Sequence, residues 1–222
     1  MATWITHLRI AEELLTRNLP LSKVDFLIGN IGPDCGLLND EGKFSPPKRV
    51  THFKNEQGIQ PDLFFEQHEK NILGSSSLRA SYLLGYYCHL ITDVEWVKLA
   101  LEKKKEQVHQ AMVGSPDYNR LVKRDWYWLD FKYLKQNPDQ LFWIDFQHIQ
   151  EYPEYLPFFL EGQTLKQIRN ITNMYCNTIV PEEYEPTFIK EVEVDDFVQE
   201  TVNKIYELLL QKWGNSHERN EL

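Results

Sequence analysis

The beginning of the chain has the residue spacing of an amphipathic helix. Apolar side chains recur three and four residues apart, at Trp4, Ile5, Leu8, Ala11, Leu14 and Leu15. This spacing places them on one face of a helix. Thr3 is a good N-cap residue and Pro20 lies just beyond the last apolar position, so the pattern predicts a helix over residues 4–18.

The longest helical pattern lies in the middle of the chain. We predict that Ser75 caps this helix and that it continues to about Gln110. Between Leu78 and Leu101 the segment is apolar on nearly every side, which is typical of a helix that passes through the middle of a bundle. The charged run Glu102–Glu106 near its end favours a solvated helix terminus.

The rest of the chain is also predicted to be mostly helical. A short apolar stretch covers Val24–Ile31, and further helices are predicted at Pro61–Leu73, Tyr118–Gln136, Pro138–Gln150, Gln163–Ile179 and Val194–Trp213. No alternating pattern indicates a strand. Gly32–Pro47 is rich in turn-forming residues and is the longest irregular segment, of the kind that carries function. We therefore predict an all-α protein, a single helical bundle domain over residues 1–222 with a long central helix.

Composition and charge restrict the function further. The chain has 222 residues, with 12 Phe, 11 Tyr and 6 Trp, which is enough apolar material for one buried core. Its net charge of −9 repels a phosphate backbone and argues against general nucleic-acid binding. No feature specifies an oligomeric state.

The expected location of the protein is the cytoplasm. Charged residues interrupt the first twenty positions, so we expect no signal peptide. No later stretch approaches the ~20 apolar residues of a membrane span. The three cysteines, Cys35, Cys88 and Cys176, are odd in number and far apart, which favours reduced thiols.

Candidate chemistry begins on the central helix. His89 and Asp93 lie four residues apart, so both side chains fall on one face of it. The spacing alone is weak evidence, because His52 and Glu56 repeat it. A helix this apolar, however, should not bury an aspartate unless the charge has a partner.

Three more residues extend this pair. His7 lies on the apolar face of the first helix, where it is either a core histidine or a ligand. Asp34 and His52 bracket the irregular segment, where Asp34 is either a turn former or a ligand. Together with His89 and Asp93 they supply three imidazoles and two carboxylates, a donor set suited to one or two divalent ions such as Zn²⁺.

Four segments in order resemble the bacterial zinc-dependent phospholipase C family. They are Thr-His-Leu-Arg-Ile-Ala-Glu at 6–12, Gly-Asn-Ile-Gly-Pro-Asp at 29–34, Val-Thr-His-Phe at 50–53 and Tyr-Leu-Leu-Gly-Tyr-Tyr-Cys-His-Leu-Ile-Thr-Asp at 82–93. That family is similar in turn to fungal single-strand-specific zinc nucleases and to the N-terminal region of glycosylphosphatidylinositol-specific phospholipase D. The resemblance covers about residues 4–100 and implies an all-α fold with a metal cluster.

The resemblance also implies roles for the five residues. Asp34, His52 and His89 would hold one zinc, while Asp93 would bridge it to a second zinc that also takes His7. Mn, Fe or Co are alternative metals.

The chain departs from the family pattern in two places. The secreted relatives begin at a tryptophan whose amine completes a metal site, but Trp4 is internal here. Leu99 stands where the third zinc needs a histidine. These departures imply one or two metals rather than three.

The leading functional prediction is metal-dependent hydrolysis of phosphoesters, with metal-activated water as the nucleophile. Asp34 and Asp93 are the candidate catalytic residues, with Asp34 a candidate proton acceptor. The substrate would be a small phosphoester or a lipid headgroup. The candidate substrate contacts are Lys48, Arg49 and His68. Two alternatives stay open: the basic residues only keep the loop soluble, and His68 is only a surface residue.

Two other interpretations remain open. The first is a metal-stabilised or metal-free helical binding module without catalysis. The second is a helical phosphohydrolase built on adjacent His-Asp residues, but the chain contains no His-Asp dipeptide.

Overall fold

The computed structural model describes residues 1–73 and 77–220 and is built almost entirely of helices. The helices are α1 (Trp4–Leu15), α2 (Lys23–Gly29), α3 (Lys48–Thr51), α4 (Pro61–Leu73), α5 (Leu78–Lys103), α6 (Gln107–Gln110), α7 (Tyr118–Gln136), α8 (Leu141–Ile144), α9 (Gln163–Asn177) and α10 (Glu191–Asn220). Two short 3₁₀ helices lie at Gly32–Asp34 and Phe146–His148. The prediction of an all-α fold is confirmed.

Helix α1 forms as predicted but is shorter. The side chain of Thr3 accepts a hydrogen bond from the Thr6 amide and caps the helix. The apolar face is buried, with Ile5 and Leu8 fully inaccessible to solvent. The predicted end at residue 18 was wrong, because Asn18 adopts a left-handed backbone conformation with φ 55° and the chain has already left the helix.

Helix α5 is the centre of the bundle. Every residue from Ala80 to Asp93 is buried, and the helix packs against α1, α2, α4 and α10. Ser77 caps it by accepting from the Ala80 amide at 3.1 Å. The predicted cap, Ser75, lies outside the described residues.

The C-terminal end of α5 differs from the prediction of one helix to Gln110. The chain leaves the helix after Lys103 and begins α6 only at Gln107, with Glu106 in an extended conformation between them. The charged run offers no apolar side chain to hold a continuous helix against the bundle. The run is solvated as predicted except for Lys103, which is nearly buried.

Helix α2 crosses α5 at a distance that only glycine permits. A Cβ at Gly29 would lie 2.1 Å from the Tyr82 carbonyl oxygen, and one at Gly85 would lie 2.3 Å from the Phe26 carbonyl oxygen. Both distances are far below van der Waals contact, so the two backbones touch directly. This crossing brings the end of α2 against the middle of α5.

The segment Gly32–Pro47 is more regular than predicted. After the first 3₁₀ helix it forms a hairpin of β1 (Leu37–Leu38) and β2 (Phe44–Ser45), and a second hairpin pairs β3 (Lys54–Asn55) with β4 (Gly58–Ile59). The expectation of no strands was therefore wrong in these two places. Two-residue strands are too short to show an alternating pattern.

The C-terminal helices complete the bundle. Helix α7 has its predicted bounds, whereas the predicted helix Pro138–Gln150 is replaced by α8 and the second 3₁₀ helix, with the break at Asp145. Helix α9 ends two residues earlier than predicted. Helix α10 begins three residues earlier than predicted and extends beyond Trp213.

Most apolar side chains form one large core around α5. A smaller cluster of Tyr118, Val122 and Phe188 lies apart from it. Cys35, Cys88 and Cys176 are unpaired, in agreement with the prediction of free thiols. Among helices of residues 1–73 and 77–220, none offers an apolar stretch sufficient to traverse a lipid bilayer.

Candidate metal centre

The five side chains predicted as metal ligands lie together in the protein interior. His7 comes from α1, Asp34 ends the first 3₁₀ helix, His52 follows α3, and His89 and Asp93 lie one turn apart on α5. Their exposed fractions range from 0 to 8%. The ligand atoms form two groups, each within 4.8 Å, that share His89: one adds His7 and Asp93, and the other adds Asp34 and His52.

Asp93 lies between the imidazoles and presents one oxygen to each side. Its Oδ1 is 3.5 Å from Nε2 of His7, and its Oδ2 is 3.5 Å from Nε2 of both His52 and His89. Two ligands bound tetrahedrally to one ion at 2.0–2.2 Å lie roughly 3.4 Å apart. The spacing is therefore that of groups around a shared cation, and the position of Asp93 suits a bridging carboxylate.

The donor set has buried atoms that the protein itself does not satisfy. Nε2 of His7, His52 and His89 and Oδ2 of Asp93 are inaccessible to solvent and have no hydrogen-bond partner in the described parts of the chain. An unsatisfied buried polar atom costs about 1–3 kcal/mol. Four such atoms directed at one region fit a divalent cation, so the chemistry of these residues suits a metal site.

Hydrogen bonds on the opposite ring nitrogens orient two of the imidazoles. Nδ1 of His89 lies 2.7 Å from the carbonyl oxygen of Asn30, to which it donates, and Nδ1 of His52 lies 3.0 Å from Oγ1 of Thr51. A carbonyl partner on Nδ1 leaves Nε2 with its lone pair free for a metal. Asn30 is the C-cap of α2, so the close crossing of α2 and α5 sets the orientation of His89.

Other groups hold the two carboxylates. Oδ2 of Asp34 accepts from the Trp4 indole at 3.0 Å, and Oδ1 accepts from the Lys48 ammonium at 3.1 Å. The backbone amide of Ala2 donates to Oδ1 of Asp93 at 2.9 Å. The segment that precedes α1 therefore lies directly against the metal ligands, a contact that helical periodicity does not reveal.

The electrostatics favour the ligand forms of His7 and of the two carboxylates at neutral pH. Burial, reinforced by the nearby His89, lowers the pKa of His7 to about 4. Burial alone would raise the pKa values of the two carboxyls. The neighbouring imidazoles outweigh burial and lower the pKa of both Asp34 and Asp93 below the ordinary range. The site thus combines a neutral His7 imidazole with two ionised carboxylates.

The predicted substrate contacts are distributed unevenly. Lys48 reaches the site through Asp34, whereas Arg49 is one residue further and exposed. Lys43 is exposed and pairs with Glu41 at 2.9 Å. His68 is half-buried with its ring 4.7 Å from the Phe64 ring, and no contact joins it to the metal ligands among the residues described.

Leu99 supplies no ligand atom for a third ion. It is half-buried on α5, six residues beyond Asp93.

Comparison with known proteins identifies the family of the chain. The family model described as zinc dependent phospholipase C matches residues 6–121, which is more than half of the chain and extends beyond the segments that carry the resemblance. No curated protein and no solved structure matches. The matched region contains all five residues of the candidate metal centre and most of the bundle around α5. The chain therefore belongs to the zinc-dependent phospholipase C family.

Proposed function

We propose that this protein hydrolyses phosphoester bonds with one or two bound divalent ions, of which zinc is the first candidate. The proposed ligands are His7, Asp34, His52, His89 and Asp93. The observation that carries the proposal is the convergence of three unsatisfied Nε2 atoms on Asp93 in a buried site. Membership in the family supports the same reaction class.

In the proposed reaction, the bound ion and the two carboxylates would have different roles. A divalent ion in such a site lowers the pKa of water toward about 7 and neutralises charge on phosphoryl oxygens. Asp93 places one oxygen toward each side of the centre. Asp34 is the candidate proton acceptor because its carboxylate is the most exposed of the five candidate ligands.

The proposed substrate is a small phosphoester or a phosphorylated lipid headgroup. The Lys48 ammonium lies 3.1 Å from Oδ1 of Asp34, and Arg49 follows it on α3. A phosphate bound here would take over the contact that Lys48 makes with Asp34. The role of His68 in substrate binding stays a prediction.

The experiment begins with elemental analysis of protein purified without chelator, followed by hydrolysis of bis-p-nitrophenyl phosphate and p-nitrophenylphosphorylcholine with added Zn²⁺, Mn²⁺ or Co²⁺. We expect at least one ion per chain and turnover that His89→Ala and Asp93→Asn abolish. The matched control is His148→Ala, because His148 is exposed on the second 3₁₀ helix. Less than one metal per chain, together with full activity of His89→Ala, refutes the proposal.

Deep burial favours a second candidate, a metal-stabilised binding module without catalysis. His7, His89 and Asp93 have no exposed surface, and Oδ1 of Asp93 is already engaged by the Ala2 amide. This alternative predicts that zinc raises the melting temperature while no phosphoester is hydrolysed. Turnover that depends on His89 excludes it.

A further inference from the structure

A cavity lies beyond the metal centre, near the C-terminal end of α5. Its volume is about 150 Å³, and it is enclosed by the end of α5, α6, the first half of α7 and the chain that precedes α10. None of the five metal ligands lines it. The exposed side chains of Lys104 and Asn119 belong to its wall, so the cavity opens to solvent.

The inner wall is aromatic and held in place. Trp96 packs edge-on against Trp126 with ring centroids 5.1 Å apart. His109 is buried, and its two ring nitrogens lie 2.7 Å from the Tyr118 hydroxyl and 2.8 Å from the Phe188 carbonyl oxygen. Because both nitrogens are occupied, the His109 ring serves as a fixed wall. An apolar cavity of 150 Å³ is large enough for one benzene ring.

One polar group of the wall lacks a partner. Trp96 is 2% exposed, and its indole Nε1–H has no hydrogen-bond acceptor among the described residues. A buried indole N–H normally finds an acceptor. The unsatisfied donor indicates that an occupant of the cavity would gain from carrying an acceptor oxygen.

The charged side chains of the cavity wall indicate which acceptor group an occupant would carry. The Lys103 ammonium is neutralised by Glu106 and Glu193, each at 2.7 Å. The ammonium of Lys104 pairs with no carboxylate in the part of the chain that the structure describes. Lys104 is therefore a cation of the cavity wall without a carboxylate partner among the described residues, and it can pair with an anion at the mouth of the cavity.

We propose that this cavity binds a small aromatic carboxylate. Its ring would fill the space beside Trp96 and Trp126, and its carboxylate would lie within reach of the Trp96 indole N–H and the Lys104 ammonium. The site is separate from the metal centre and does not depend on hydrolysis.

The test uses the full chain labelled with ¹⁵N and follows the assigned indole N–H resonance of Trp96 during titration with phenylacetate. We expect a saturable shift with phenylacetate and binding at least about tenfold weaker with 2-phenylethylamine, which has the same ring and the opposite charge. Lys104→Gln should weaken phenylacetate binding about fivefold, as expected for one partly exposed ion pair. Lys105→Gln is the matched control, because the Lys105 ammonium pairs with Glu102 and does not line the cavity.

Several results overturn the proposal. No saturable shift of the Trp96 resonance means that the cavity is closed or filled by water. Equal binding of the carboxylate and the amine removes the charge argument. Equal loss of affinity in Lys104→Gln and Lys105→Gln places the anion outside the cavity. Lys104 is exposed, so its substitution tests binding without endangering the fold.

Discussion

Gly85→Ala tests whether direct backbone contact between α2 and α5 supports the metal centre. The added methyl group would lie 2.3 Å from the Phe26 carbonyl oxygen and 3.0 Å from the Asn30 amide nitrogen. Both are backbone atoms of α2 or its cap and cannot turn away as a side chain would. To restore even 3.0 Å from 2.3 Å, the helices must separate by at least 0.7 Å.

Two opposing effects determine how Gly85→Ala changes the free energy of unfolding. Alanine is favoured over glycine inside a helix by about 1 kcal/mol. Overpacking a tight core costs about 1–3 kcal/mol, and backbone contact places this site at the upper end. We therefore expect a net loss of about 2 kcal/mol. This loss corresponds to a fall in melting temperature of about 4–8 °C for a chain of this length.

The same movement should weaken the metal centre. The carbonyl oxygen of Asn30 holds Nδ1 of His89 at 2.7 Å, and His89 lies one turn after Gly85. A shift of 0.7 Å stretches this hydrogen bond to about 3.4 Å, near the limit at which it holds the ring. Loss of such an orienting partner lowers metal affinity about 10–100-fold.

The assay combines urea unfolding with zinc titration of the same preparations. Val97→Ala and Val97→Gly form the matched control, because Val97 is an exposed position within α5 and reports the propensity difference without the helix contact. A Gly85→Ala variant as stable as the wild type, or more stable, refutes the packing argument. Lower stability with unchanged zinc affinity refutes the link to His89.

Three further outcomes follow from buried groups. Burial raises the pKa of Asp130 to about 7, although Tyr175 and Thr3 donate hydrogen bonds to its carboxylate. The native state therefore binds the proton more tightly than the unfolded state, and the free energy of unfolding falls as pH rises from about 4 to 7. Asp130→Asn should reduce this pH dependence when unfolding is measured in urea. Asp125→Ala removes the acceptor for two amides and a hydroxyl in residues 184–188, and should cost about 2–3 kcal/mol by thermal unfolding. Chelation should lower the melting temperature, since an ion at 100 times its Kd adds about 2.7 kcal/mol.

The central helix and the five candidate ligands could be identified from the sequence for physical reasons. A segment apolar on all sides can lie only in the interior, and α5 is buried from Ala80 to Asp93. An aspartate on such a helix needs a partner, and His89 lies one turn before it. His7 stands out separately, as a histidine on the apolar face of α1. The structure places these residues together.

Other features depended on tertiary contacts and could not be read from local pattern. The orienting group for His89 is the backbone carbonyl of Asn30, which any residue would supply. The need for glycine at position 85 arises only because α2 crosses there. The helix predicted at Pro138–Gln150 is interrupted because Asp145 leaves the helical path, where its carboxylate pairs with Lys23 at 2.7 Å.

The charges of the centre favour a bound cation. Asp34 and Asp93 are both ionised, and the His7 imidazole is neutral at pH 7. The Lys48 ammonium lies 3.1 Å from Oδ1 of Asp34 and 3.7 Å from Sδ of Met1. Two ionised carboxylates therefore lie in one buried site, where an uncompensated carboxylate is costly. A divalent ion would offset this negative charge and satisfy the ligand atoms that lack partners among the described residues.

Lys48→Gln separates metal binding from substrate binding. The ammonium competes with a cation for Oδ1 of Asp34, so its removal should raise zinc affinity about fivefold, the equivalent of about 1 kcal/mol. Removal of this ammonium should at the same time lower kcat/KM for phosphodiesters. Lys43→Gln, an exposed lysine paired with Glu41, should change neither quantity. A fall in zinc affinity, or unchanged hydrolysis by Lys48→Gln, would show that Lys48 only stabilises the fold around Asp34.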